Sequence, residues 1–181
     1  MLLKTALALV LATVGAPAAA ARVPPLATPL HPGTHAAPTA LAGSVAQELN
    51  RVRGLHGLRP LRTTSALMRS ARRHSIQMGR RGYFDHDSVD GTPFWRRINR
   101  FYGDDGFRSW SVGENIFWAS PRTLAGSSVV RSWLGSPGHR ENMLSREWRD
   151  VGVGVANMSS APGVYGGSPV TIVTVDFGTR R

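Results

Sequence analysis

The sequence predicts an α+β layered domain built on a small antiparallel sheet. Three observations lead there. Apolar residues recur at three- and four-residue spacing through the middle of the chain, β-branched residues alternate or cluster toward its C-terminus, and 181 residues with 41 % hydrophobic content suffice for one core but not two.

The first 21 residues carry one lysine, Lys4, then an apolar run from Ala6 to Val14, then small residues up to Ala21. This is the three-part layout of a cleaved signal peptide, and the run is too short for a membrane anchor. Residues 22–40 hold five of the twelve prolines among Ala, Thr and Gly, a composition expected of a linker. His31 and His35 inside it are incidental on this reading.

Helical spacing begins after residue 40 with Leu41, Val45, Leu49 and Val52, and Gly57 stands where that helix would stop. Thr64 or Ser65 would cap a second helix whose inner face holds Leu67, Ala71, His74, Ser75 and Met78, with Gly82 at its end. Thr92-Pro93 suits the start of a third, with Phe94, Trp95, Ile98 and Phe101 on its inner face. A fourth is expected over about Leu124 to Leu134, and a fifth from Ser136-Pro137. Strands are expected at Val151, Val153 and Val155, at Val170 to Phe177, and around Ser111 to Trp118, with Gly163, Gly166 and Gly167 in a hairpin loop.

The chain has no cysteine, so disulfides, thiolate zinc sites and cysteine nucleophiles are excluded and any metal must rest on His, Asp or Glu. A net charge of +11 raises the question of a polyanionic partner. The arginines are scattered in runs no longer than two, and no zinc-finger, RNP or basic-zipper pattern accompanies them, so no specific nucleic-acid role is indicated. Nucleophile-elbow, phosphate-loop, dinucleotide and HExxH signatures are also missing. Asp176-Phe177-Gly178 matches the kinase tripeptide without any of its companions.

Several short motifs remain, in a fixed order. They are Leu49-Asn50-x-x-Arg53, Gly57-Leu58-x-Pro60-Leu61, His74-Ser75, Tyr83-Phe84-x-His86, Gly113-Glu114-Asn115-Ile116, Ser136-Pro137-Gly138-His139-Arg140-x-Asn142-x-Leu144 and Asp176-Phe177-Gly178. Together they resemble the bacterial branch of the CAP superfamily, the SCP/PR-1-like domain. The resemblance covers Leu41 to Gly178 and assigns a domain to residues 41–179. It implies an α-β-α sandwich in which two His and two Glu face a cleft able to hold a divalent cation. On this chain those positions correspond to His86, Glu114 and His139, with Asn115 and Ser136 beside them. The fourth position departs from the pattern, because Ser136 stands three residues after Trp133 where many eukaryotic members have glutamate.

Two imidazoles and a carboxylate make a reasonable open zinc site, with a position left for water; the cofactor expected is a divalent cation, zinc or magnesium. Near the start of a helix His139 would be held neutral, the form that binds metal. The alternative is a polar cleft without metal, in which Glu114 and the two His satisfy one another. His74 shares a face with core residues and reads as one of them. Trp110 and Trp148 fall outside clear periodicity, which leaves an exposed binding role open for both.

Three functions are compatible with these features. The first is a secreted module that binds an extracellular or envelope lipid or protein partner. The second is a hydrolase in which a cation at the same cleft activates water. The third is adhesion of the arginine-rich surface to an anionic polymer or membrane.

Overall fold

Helices cover both faces of a four-stranded sheet in a computed structural model that describes residues 38–120 and 124–181. The expected signal peptide, and the linker up to residue 37, lie outside these residues. In chain order the elements are α1 (Pro38–Leu55), β1 (Arg62–Thr63), α2 (Ser65–Arg81), α3 (Phe94–Asn99), β2 (Trp110–Ala119), α4 (Gly126–Leu134), α5 (Pro137–Leu144), β3 (Asp150–Met158) and β4 (Val170–Arg180). The strand order is β1-β3-β4-β2, antiparallel except for β1, which runs parallel to β3. The α+β sandwich is thus as expected, with two refinements. Helix α1 starts at Pro38, inside the segment read as linker, because proline fits the first helical turn. Strand β1 has only two residues, both exposed, and so carries no hydrophobic alternation by which to recognise it.

The two faces of the sheet are built differently. Val151, Val153 and Val155 of β3 join Val173, Val175 and Phe177 of β4 in the larger core, under Leu49 of α1, Trp133 of α4 and Met143 of α5. On the opposite face β3 presents Gly152 and Gly154, and a side chain on either would strike the backbone of α2. The alternation of valine and glycine therefore seats one core against β3 and lets α2 lie directly on the other face.

Of the helices that follow β1, only α2 has a side-chain N-cap hydrogen bond. Thr64 caps α2 through the amide of Leu67, and Gly82 ends it in the left-handed conformation. Thr92 does not cap α3. That helix starts after Pro93, and the Asp87 carboxylate accepts from the Phe94 amide at 3.0 Å instead. Ser136 holds the N-cap position of α5 but makes no cap hydrogen bond. Helix α4 begins at Gly126, two residues later than expected. Trp110 and Trp148 are buried, which removes the exposed role left open for them; their indoles donate to the carbonyls of Tyr102 and Asn142.

The turn that follows α1 is tied down by the Leu49-Asn50-x-x-Arg53 motif. Asn50 both donates to and accepts from the backbone of Leu61, and buried Arg53 donates to the carbonyls of Met143 and Ser145 at the end of α5. The motif thus pins the α1–β1 loop and the helix that carries His139.

Replacing Gly152 or Gly154 by Ala is expected to cost about 1–3 kcal/mol or more through overpacking against α2. Gly54→Ala, where an added Cβ meets nothing within 4 Å, is expected to stabilise by about 0.5–1 kcal/mol. Urea unfolding of the three variants checks both signs.

Candidate functional site

Glu114 lies on β2 directly opposite Asp176 on β4, and the pleat turns both side chains toward α2 and α3. Both residues are buried. Two carboxylates side by side in a core repel each other, so the site depends on what offsets them. Arg97 of α3 supplies the counter-charge. Its Nη2 donates to Glu114 Oε2 at 2.6 Å and to the carbonyl of His86 at 3.1 Å, while Nη1 stands 3.9 Å from Asp176 Oδ2.

The two acids divide the work. Burial opposes ionisation of Glu114, but the charge of Arg97 and contacts from His74 and His86 outweigh it and hold its pKa well below the ordinary carboxylate range. Burial and the adjacent Glu114 charge push the Asp176 carboxyl well above that range. One guanidinium thus stands between two carboxyl groups whose pKa values are displaced in opposite directions.

The other oxygen of Glu114, Oε1, accepts from His86 Nδ1 at 2.9 Å. This leaves Nε2 of His86 pointing away from the pair. Burial disfavours the imidazolium of His86, yet the hydrogen bond to Glu114 and its charge prevail, and the pKa is raised. His74 belongs to the core, as expected, but also to this cluster. Its Nε2 pairs with the Asp85 carbonyl at 2.9 Å and stands 3.8 Å from Glu114 Oε1. Burial is the main reason that its pKa is lowered.

His139 approaches from the other side of the sheet. Asn115 follows Glu114 on β2 and so faces α5, where its Nδ2 donates to the His139 carbonyl at 3.1 Å and its Oδ1 accepts from Asn142. Asn142 also donates to the backbone carbonyl of Glu114. The hydroxyl of Ser136 shares a hydrogen bond with His139 Nδ1 at 3.0 Å. Burial and the nearby His86 lower the His139 pKa. The site thus wraps around the outer strand, β2, with Glu114 and His86 on one face, His139 on the other, and Asn115 and Ser136 fixing His139.

The residues fit a cation less well than a three-ligand reading requires. Glu114 has each oxygen committed, to His86 and to Arg97, and its side chain is only 1 % exposed. Among the described residues, no group of three or more His, Asp or Glu side chains stands where it could hold a metal ion. What remains open is a pair of imidazole Nε2 atoms. Arg97 escaped the sequence reading, and Asp176 entered it only as part of the Asp176-Phe177-Gly178 motif, with no place in the site. Arg97 looked like one more scattered arginine, although it stands three residues after Phe94 and beside Ile98, on the buried side of a short helix. Asp176 follows the alternation that puts Ile172 and Thr174 on the α2 face, which was the available signal for its burial.

The chain belongs to the CAP family: the model for the cysteine-rich secretory protein family matches residues 46–177, although this member has no cysteine. Among its relatives is YkwD of Bacillus subtilis (strain 168), 33 % identical over 131 residues. That match spans 70 % of this chain and 48 % of YkwD, so the chain corresponds to about half of the relative. An extracellular protein containing an SCP domain from Bacillus anthracis str. Ames superposes with a TM-score of 0.55 at 28 % identity, over 83 % of this chain and 44 % of that one. An outer surface protein from Borrelia burgdorferi shares the fold, with a TM-score of 0.56 at 21 % identity over 76 % of this chain and 90 % of that one.

Replacing Arg97 by Met leaves buried Glu114 without its counter-charge and is expected to cost about 3–5 kcal/mol at neutral pH. The deficit should narrow as pH falls and Glu114 becomes protonated. The sign for Asp176 is opposite: the folded state retains a proton that the unfolded state has lost, so stability falls as pH rises from the ordinary carboxylate pKa toward the raised one. Asp176→Asn should therefore gain stability relative to the parent between pH 4 and pH 7, measured by urea unfolding at several pH values.

Imidazole NMR of the chelator-treated protein should place His86 above and His139 below the ordinary histidine pKa. His86→Gln should move the His139 midpoint upward, because it removes a positive neighbour.

Proposed function

We propose that the protein is an exported binding module whose cleft, between His86 and His139, meets an extracellular or envelope ligand, lipid or protein, and does not hydrolyse it. The condition of Glu114 carries this reading. A general base works best with a pKa near the operating pH and must reach the proton it removes. Glu114 has a depressed pKa, both oxygens engaged and almost no exposure. It orients His86 and leaves the imidazole edge as the part of the site that a ligand can touch.

Export is supported by the signal-like residues 1–21 and by the extracellular designation of the Bacillus anthracis relative. No helix among the described residues is long and apolar enough to cross a membrane. Of the two cations considered, zinc suits imidazole nitrogen and magnesium does not; zinc taken up here would rest on the two imidazoles, with Glu114, Asn115 and Ser136 orienting them. The cation would add a positive charge at the cleft mouth suited to a carboxylate or phosphate on the ligand.

The test pairs capture with turnover. Tagged protein is crosslinked to the surface of the producing cell and assayed in parallel on ester and peptide substrates, with and without zinc. Capture that is lost in the His86→Ala/His139→Ala double variant, with no turnover by the parent, is the expected result. Turnover that disappears in Glu114→Gln would reject the reading in favour of the hydrolase.

A further inference from the structure

A second feature lies away from the cleft, at the opposite edge of the sheet. Strand β1 pairs with β3 only at Asp150 and Val151, while β3 runs on to Met158 with no further strand beside it among the described residues. The Val151 carbonyl faces β1, where it accepts from the Thr64 amide. By the two-residue period of a strand, the backbone groups of Val153 and Val155 face the same way, while those of Gly152 and Gly154 face β4. Beyond β1 this edge has no backbone partner among the described residues. Val153 and Val155 are nevertheless only 4 % and 3 % exposed, and backbone groups withdrawn from water need a partner. Sheet edges are ordinarily blunted by charge, proline or a bulge. Residues Val151 to Ala156 contain no charged residue and no proline, and their register with β4 is unbroken.

Helices α1 and α2 wall this edge and leave a groove of about 510 Å³ along it, within the range of roughly 300–1,000 Å³ typical of ligand sites. Ala42 and Ala46 of α1 and Met68 of α2 make its walls largely apolar, and Met68 is 39 % exposed. Arg69 and Arg72 on the α2 side are also exposed, and neither pairs with a carboxylate among the described residues. No Asp or Glu lines the groove.

We propose that this groove takes an extended peptide segment of another protein as an added strand, with apolar side chains at alternate positions and a carboxylate that meets Arg69 and Arg72. The backbone edge decides the class of ligand. A fatty acid would satisfy the apolar walls and the arginines, but an acyl chain offers nothing to the amide and carbonyl groups of Val153 and Val155. A peptide strand offers both, and its side chains point alternately to the two walls. Those toward α1 meet Ala42 and Ala46, which selects apolar residues; those toward α2 meet Met68 and the two guanidinium groups, which selects acidic ones. The groove is separate from the His86–His139 cleft, which wraps around β2.

The test follows hydrogen exchange by NMR, amide by amide along β3, with and without a pool of octapeptides. In the pool Val, Ile or Leu alternates with polar residues, two of which are Asp. The amides of Val153 and Val155 are expected to slow at least tenfold, while those of Gly152 and Gly154, already turned toward β4, change little. A pool N-methylated at every residue is expected to produce no slowing. Arg69→Glu/Arg72→Glu, at two exposed positions, is expected to weaken binding of the unmethylated pool at least tenfold by fluorescence polarisation. Exchange at Val153 and Val155 as slow as at Gly154 before any peptide is added would show the edge to be paired already and would overturn the proposal. So would peptide binding without the alternating pattern, or no binding. Oleate binding that the arginine variant loses, with no slowing by the pool, would instead assign the groove to an acyl chain and overturn it as well. None of these outcomes bears on the His86–His139 cleft.

Discussion

The architecture is arranged around one electrostatic problem, two carboxyl groups placed next to each other in the core by the register of β2 and β4. Glu114 and Asp176 are direct partners in the ladder and share a face, so neither can turn away without a shift that would move every side chain of its strand. Arg97 supplies the counter-charge, and the two carboxyl pKa values move apart. The guanidinium binds Glu114 closely and Asp176 more distantly, and its second bond, to the His86 carbonyl, fixes the loop that brings the imidazole to Glu114. A structural ion pair and the orientation of a site residue are therefore the same set of contacts. A buried ion pair of this kind is weak evidence for net stability, since desolvation offsets much of the attraction. Its clearest effect here is positional, since the same guanidinium that pairs with Glu114 also holds the backbone of His86.

The site crosses the outer strand because consecutive residues of a strand face opposite ways. Glu114 looks toward α2 and α3; Asn115, its neighbour, looks toward α5 and holds the backbone of His139. A two-residue motif on β2 thus positions two histidines that belong to different layers and are 53 positions apart in sequence by their numbers. Asn142 completes the link by bonding both to the Asn115 side chain and to the Glu114 carbonyl, which would otherwise be an unpaired group on an outer strand.

Much of the fold was legible because its signals are local. The periodic faces of α1 and α2, the Gly82 stop and the alternating valines each depend on a few neighbouring residues. Strand β1 was not legible: two exposed residues, Arg62 and Thr63, have no pattern, and only pairing with β3 makes them a strand. The same distinction divides the site. His86, Glu114 and His139 could be placed through the motif series, whereas the burial of Arg97 and its approach to Asp176 depend on the packing of α3 across β2 and β4. The cap of α3 failed for a related reason, since the Asp87 side chain reaches the Phe94 amide from seven residues away and displaces the adjacent Thr92 from that role.

The charge balance of the cleft also bears on what it can recognise. Arg97 pairs with Glu114, burial and the Glu114 charge raise the Asp176 pKa, and burial lowers those of His74 and His139, so each shift disfavours a further buried charge. His86 is the one group poised to carry charge near neutrality, and it does so against a carboxylate already 2.9 Å away. The placement of the two imidazoles is set by Glu114 on one side of β2 and Asn115 on the other.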